Sequence, residues 1–258
     1  MAEAAKPQSS FAAGLRKALA ADEIEILFQP QVEIASGRIV GAEALARWQQ
    51  PDLGELGAET LFGLASRAAM LRDLSEHVQE RALCIAAGWP SALDLRLSVN
   101  ITAADAVRPD FASSLFVILQ ECGFERSRLT IEITETELIE NLDAAAEMLA
   151  HLRDSGIRVA LDDFGTGYSS LLYLKALPLD AIKIDKRLME DIAGSDRDRV
   201  VVAGTIDMAR KLGLEVIAEG VETQEQLRLL REEGCDLYQG FLCSPPVDSA
   251  TLTELVSR

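Results

Sequence analysis

Two neighbouring acids, Asp162 and Asp163, close an apolar strand pattern in which Ile157, Val159 and Leu161 alternate with Arg158 and Ala160. Adjacent carboxylates at the end of a buried strand repel each other unless a cation sits between them. A loop rich in Gly and Ser follows at 165–170, then an apolar segment at 171–177 that Pro178 closes. A strand end running into a glycine loop is where α/β proteins carry their chemistry. More polar residues fall at or near the ends of other strand patterns: Gln29, Glu43, Asn100, Glu132, Lys183, Glu219 and Gln239. Each alone reads equally well as a solvent-facing side chain, and Glu43 in particular as a residue on an exposed edge strand. Brought to one rim, the carboxylates among them are unstable without cations. Glu43, Asn100, Glu132, Asp162, Asp163 and Glu219 all offer oxygen, about enough for two divalent ions roughly 4 Å apart with Asp162 between them. Lys183 is the one cation of the set. It could hold an attacking water or steady charge developing on a phosphoryl group. The chemistry implied is metal-dependent and directed at a phosphate ester.

The elements that must carry these residues alternate. A helix pattern covers 11–21. Strand patterns at 24–34 and 39–48 flank a Ser36-Gly37 turn and predict an antiparallel hairpin. A loop is expected over 49–57 and two helices over 60–87. From Asp94 onward strands are expected at 95–99, 129–133, 157–161, 181–184, 214–218 and 237–241. Helices are expected at 111–122 with Gly123 as C-cap, at 137–155, over most of 186–212 with a break at Gly194-Ser195, from Thr223 as N-cap, and from Ser249. Strands alternating with helices pair in parallel through right-handed crossovers, and a (β/α)8 barrel is the closed solution at this length. An open doubly wound sheet is the alternative. Against it, no GxGxxG fingerprint follows a strand.

The chain has 258 residues, 48% hydrophobic, with a formal net charge of −17. That charge argues against nonspecific contact with a nucleic-acid polymer or an anionic membrane surface. It leaves room for a small anion, because bound metal inverts the local field. His77 and His151 sit in no ligand pattern, so a metal here takes oxygen ligands: Mg, Mn or Ca. Cys84, Cys122, Cys235 and Cys243 have no CxxC spacing and read as reduced, mostly buried thiols of a cytoplasmic protein. No apolar run approaches the roughly 18 residues of a membrane span, and the N-terminus lacks a signal-peptide pattern. Residues 1–10 read as a linker or tag remnant ahead of one domain at 11–258. Trp48 and Trp89 read as packing residues.

The resemblance rests on eight motifs in order: Gln29-Pro30; Glu43-Ala44-Leu45 followed by Arg47-Trp48; Val99-Asn100; Glu132-Ile133-Thr134-Glu135; Asp162-Asp163-Phe164-Gly165-Thr166-Gly167; Lys183-Ile184-Asp185; Glu219-Gly220-Val221-Glu222; and Gln239-Gly240. Together they resemble the EAL domains, bacterial cyclic di-GMP phosphodiesterases. The resemblance implies a modified (β/α)8 TIM barrel with an antiparallel first strand. It implies hydrolysis of cyclic di-GMP to linear pGpG with Mg or Mn, inhibited by Ca. Carried over motif by motif, Glu43, Asn100, Glu132 and Asp162 would bind one metal, and Asp162, Asp163 and Glu219 the other. Lys183 would orient the attacking water and Gln239 would support the site. Gln29 and Arg47 would contact guanine and phosphate. Glu135, Glu222 and Thr166 would brace the centre and its loop. The family also implies a homodimer through the loop and helix at 165–177, and an upstream regulatory domain. The departures (Gln50 where His is common, Ile101-Thr102 for Leu-Ser, Pro245 where a basic residue is common just before the second proline) remove no proposed ligand. Two other readings remain: a receptor that binds the dinucleotide without cleaving it, and an enolase-like barrel, which leaves Asp162-Asp163 unexplained.

Overall fold

The computed structural model describes residues 5–134, 142–165 and 170–257. Strands β1 (Ile24–Glu33) and β2 (Ile39–Gln50) form the expected antiparallel hairpin, with Gln29 opposite Glu43. Gly37, at φ 73°, supplies the left-handed turn residue between them. Then β4 (Arg96–Asn100), β5 (Leu129–Thr134), β6 (Arg158–Phe164), β7 (Ala181–Ile184), β8 (Glu215–Ala218) and β9 (Leu237–Tyr238) follow β2 in parallel. β9 meets β1 antiparallel and closes the ring. The result is the eight-stranded barrel with one reversed strand that the sequence predicts. β3 (Gly54–Gly57) lies outside the ring, folded back on β2, in a stretch expected to be loop only. Two backbone-paired glycines and Glu55 give almost no strand periodicity to detect there.

Eleven helices are described: α1 (Ala5–Ala20), α2 (Ala58–Arg67), α3 (Leu71–Ala87), α4 (Ala103–Ala106), α5 (Phe111–Cys122), α6 (Leu142–Asp154), α7 (Ser170–Ala176), α8 (Lys186–Met189), α9 (Asp196–Lys211), α10 (Gln224–Glu233) and α11 (Ser249–Val256). Their stops are local. Gly123 and Gly234 end α5 and α10 in the left-handed conformation. Thr223 and Gln226 form a capping box at the start of α10, an arrangement worth about 1 kcal/mol. Among the described residues no helix is long and apolar enough to cross a membrane.

Three expectations need correction. α1 begins at Ala5, inside the predicted tail. The last strand stops at Tyr238, because the chain must turn at Gly240 against Val221; a Cβ on Gly240 would stand 2.2 Å from the Val221 carbonyl oxygen. The four cysteines are not all thiols. Cys84 on α3 and Cys122 on α5 are joined as a disulfide, their Cα atoms 4.7 Å apart, because the two helices pack side by side. Cys235 and Cys243 remain free. Burial pushes the Cys235 thiol up to about 12. Trp48 and Trp89 are packing residues, each buried edge-on against a phenylalanine, Phe11 and Phe28 respectively.

Alternation along the parallel strands separates the barrel interior into two layers. The lower layer is an apolar plug of Ala160, Ala181, Ile217 and Leu237. Two residues further along the same four strands or their ends stand Asp162, Lys183, Glu219 and Gln239. The same step of two that buries an alanine therefore delivers a polar group to the rim above it. Shifting any of these strands by one residue would turn its functional side chain out of the barrel.

Candidate active site

The rim residues meet around one ammonium. Lys183, buried at the end of β7, donates to Glu132 Oε2 at 2.7 Å and to Glu43 Oε2 at 3.1 Å. Glu219 Oε1 lies 2.8 Å from its Nζ and Asp162 Oδ2 lies 3.2 Å away. Amides complete the network. Asn100 Nδ2 donates to Glu43 Oε1 at 2.8 Å, and Gln239 Nε2 to Glu43 Oε2 at 2.7 Å and Glu219 Oε1 at 2.8 Å. Glu43 is 5% exposed, which rules out the edge-strand alternative. A buried charge in a strand interior is tolerable only when paired in this way.

The acids outnumber their cation, and the ionisation equilibria record it. Burial penalises the Lys183 charge, but Asp162, Glu132, Glu219 and Glu43 together hold it protonated well above the usual lysine range. Burial pushes Glu132 well up and raises Asp162. Burial, with repulsion from Asp162 and Glu43, lifts Glu219 to about 8. Burial and then Asp162 lift Asp163 to about 7. Glu43 goes the other way: burial opposes its charge, but Lys183 and the amides of Gln239 and Asn100 hold it below the usual carboxylate range.

Asp163 sits in a backbone position that few L-residues adopt, φ 56°, with its N–H donating to Asp162 Oδ1 at 2.8 Å. Such strain persists only where the surroundings enforce it. Its carboxyl hydrogen-bonds Asp185, which caps α8 by accepting from Arg187 N at 2.8 Å. Gly165, two residues on, packs so that a Cβ would collide with Leu188 of α8.

The carboxylates divide into two triads with ligand atoms within 4.8 Å of one another: Glu43, Glu132 and Asp162; and Asp162, Asp163 and Glu219. Asp162 belongs to both. The donors are all oxygen, which suits hard divalent cations. Among the described residues the buried Glu132 Oε1 has no hydrogen-bond partner, which leaves it able to serve as a ligand atom. The residues present fit metal ions.

Above the triads opens a groove of about 470 Å³ lined in part by Gln29, Glu43, Arg47, Asp162, Glu219 and Gln239. Gln29 is buried and donates to Ser244 O at 2.5 Å. Arg47 donates to its own neighbour's carbonyl, Ala46 O, at 2.8 Å. Glu222 also lines the groove, exposed. A second cavity of about 340 Å³ adjoins it across Leu45, reaching Asn100 and Asp163. Glu135 and Thr166 lie outside the described residues.

The sequence reading gave no role to four residues of this region. Gln31 is buried and donates to Gln239 Oε1 at 3.2 Å, holding that amide in register. Its signal was available: it stands two residues from Gln29 on the same strand face. Asp185 stands in the Lys183-Ile184-Asp185 motif, but its link to Asp163 joins the N-cap of α8 to the end of β6. Phe241, 66% exposed at the groove lip, and Lys186 on its wall carry no periodic signal.

A barrel closed by one reversed strand, with two acid triads sharing a carboxylate at the carboxyl ends of its strands, defines a class: barrel proteins with a buried cluster of oxygen donors that could hold metal. The chain belongs to the EAL domain family, whose model matches residues 12–246. It is 41% identical over 244 residues to cyclic di-GMP phosphodiesterase NbdA of Pseudomonas aeruginosa, covering 94% of this chain and 31% of NbdA. It therefore spans less than a third of that relative. Among solved structures it resembles the EAL enzyme Bd1971 in its cAMP and cyclic di-GMP bound form, with a TM-score of 0.92 and 27% identity over 99% of this chain and 70% of that one. It also resembles the calcium/cyclic di-GMP complex of Klebsiella pneumoniae BlrP1, with a TM-score of 0.78 and 33% identity over 87% of this chain and 56% of that one.

Proposed function

We propose that this chain hydrolyses cyclic di-GMP to linear 5′-pGpG by metal-dependent attack of water on one phosphodiester. The observation that carries the reading is the pair of acid triads sharing Asp162 around Lys183. Glu43, Asn100, Glu132 and Asp162 would hold one divalent ion, and Asp162, Asp163 and Glu219 the other. Bound Mg or Mn would supply Lewis-acid polarisation of the phosphoryl oxygens and a more acidic water. Lys183 orients the attacking water from within the cluster and opposes the negative charge that grows on the phosphoryl oxygens. Gln239 and Gln31 fix Glu43 and Glu219, so the carboxylates need no rearrangement during reaction. In-line attack breaks the bond to the ribose 3′ oxygen and leaves a 5′ phosphate on the linear product.

The groove supports a dinucleotide rather than a mononucleotide, since it adjoins the second cavity across Leu45. Gln29 and Phe241 stand where a guanine would be read and stacked, and Arg47 where a phosphate would be met. The named activity of NbdA and the ligands in the Bd1971 and BlrP1 complexes support the same substrate. Calcium fits the centre and is expected to support binding without turnover. Leu171 and Leu172 on α7, 66% and 54% exposed, support a homodimer across that helix. The 31% share of NbdA supports a place within a longer regulatory protein.

Chromatography of cyclic di-GMP incubated with the protein and Mn tests the reading. The expected result is pGpG from the wild type and none from Glu43→Ala. Tight binding with no product from the wild type would make the domain a receptor instead.

A further inference from the structure

Most cations near the centre are already engaged. Lys183 is surrounded by four carboxylates, and Arg187 is paired with Asp185 at 2.7 Å. Lys186 differs. It opens α8, its side chain is exposed, and it lines the catalytic groove without an ion pair among the described residues.

Its placement is fixed from below. Gly220 follows Glu219 with φ 64° and lies so close that a Cβ there would stand 2.5 Å from Lys186 Cβ and 3.3 Å from its Cα. Only a glycine lets the turn that carries Glu219 press against the stem of Lys186. The backbone is thereby held beside the groove that the residue lines. Around the ring β7 lies opposite β2, so Lys186 and Arg47 face the groove from opposite sides of the barrel. The remaining charges lining it are acidic: Glu43, Asp162, Glu219 and Glu222.

A cyclic dinucleotide carries two phosphates, and the acid triads can engage only one as the reacting group. The other would lie in a groove whose walls repel it unless a cation meets it. We propose that Lys186 is a substrate-binding residue that holds the phosphate not being cleaved. This rests on the phosphodiesterase reading above. Because that phosphate does not change charge during reaction, the contact stabilises ground and transition states alike.

Steady-state kinetics on the wild type, Lys186→Ala, Lys186→Arg and Lys211→Ala, with Mn and at two ionic strengths, tests it. Lys211→Ala removes an exposed charge paired with Asp207 on α9 and controls for net charge. Lys186→Ala should raise KM about tenfold with kcat kept within about twofold, the pattern of lost uniform binding. It should also flatten the salt dependence of KM. Lys186→Arg should recover most of the loss, and Lys211→Ala should leave KM unchanged. An unchanged KM in Lys186→Ala, or a fall in kcat at constant KM, overturns the proposal. Should the wild type bind without turnover, the phosphodiesterase reading fails on its own. Calorimetric titration of cyclic di-GMP into the same four calcium-loaded proteins then decides the Lys186 question, with about tenfold weaker binding expected for Lys186→Ala alone.

Discussion

The two ends of the barrel handle charge in opposite ways. At the amino end of the strands, Glu215 of β8 accepts from Arg158 at 2.7 Å and pairs with Arg96 at 3.3 Å, all three partly open to solvent. Beneath them the apolar plug seals the interior. There one carboxylate meets two arginines, and no acid is left without a cation beside it among these three residues. At the carboxyl end, the five acids of the two triads share one buried lysine, and Glu132 keeps an oxygen with no partner among the described residues. One end places its charges in partly solvated pairs, whereas the other gathers buried acids around a single cation. The imbalance, rather than the number of charges, marks where chemistry is carried.

The largest expected effect comes from removing the one cation at the unbalanced end. Lys183→Met should cost about 10³-fold or more in turnover, the scale of losing a group aimed at transition-state charge. It should also destabilise the metal-free protein by about 3 kcal/mol, because buried acids lose their partner. Both follow from kinetics and denaturant titration, and retained turnover would break the comparison. At the balanced end, Glu215→Gln should cost about 1 kcal/mol, since these pairs are partly solvated. Its turnover should stay within about twofold of wild type. A large loss of kcat in Glu215→Gln would show that the ends are coupled.

The smallest effect is a pH slope. Asp163 and Glu219 titrate in the fold near 7 and 8, above their ordinary values of 3.8 and 4.5. In that window the folded state binds more protons than the unfolded one, so stability falls as pH rises. The stabilisation is complete below about pH 4 and lost through pH 7 to 8. Thermal melts of chelated protein should therefore give a lower Tm at pH 8.5 than at pH 6. Asp163→Asn should flatten the slope, and Mg should stabilise more at the higher pH. A chelated protein whose Tm rises across this window would remove the claim that the rim is under-compensated.

Much of this was written in the sequence because strand periodicity is short. Asp162, Lys183, Glu219 and Gln239 each follow a small or apolar residue by two positions, so placing the strand places the side chain. What escaped depends on approach between distant segments. Nothing in a separation of 38 residues says that Cys84 and Cys122 meet; that follows from α3 lying against α5. Nor can spacing show that Gln31 braces Gln239, a contact across 208 positions. The Lys186 stem likewise gains its support from a glycine that only the folded turn brings near. β3 and the early stop of β9 escaped for a local reason, since glycine leaves no side-chain pattern to read.

The ring closes where β1 meets β9, and Gln29 near the start of the chain holds the carbonyl of Ser244 near its end. During synthesis on a ribosome, the first strand must therefore wait until the last strand of the barrel has been made for its second neighbour. Until then the sheet has an open edge, the kind of surface through which nascent chains pair wrongly. The groove would come into existence late and all at once, so a truncated chain would lack the site altogether instead of keeping part of it.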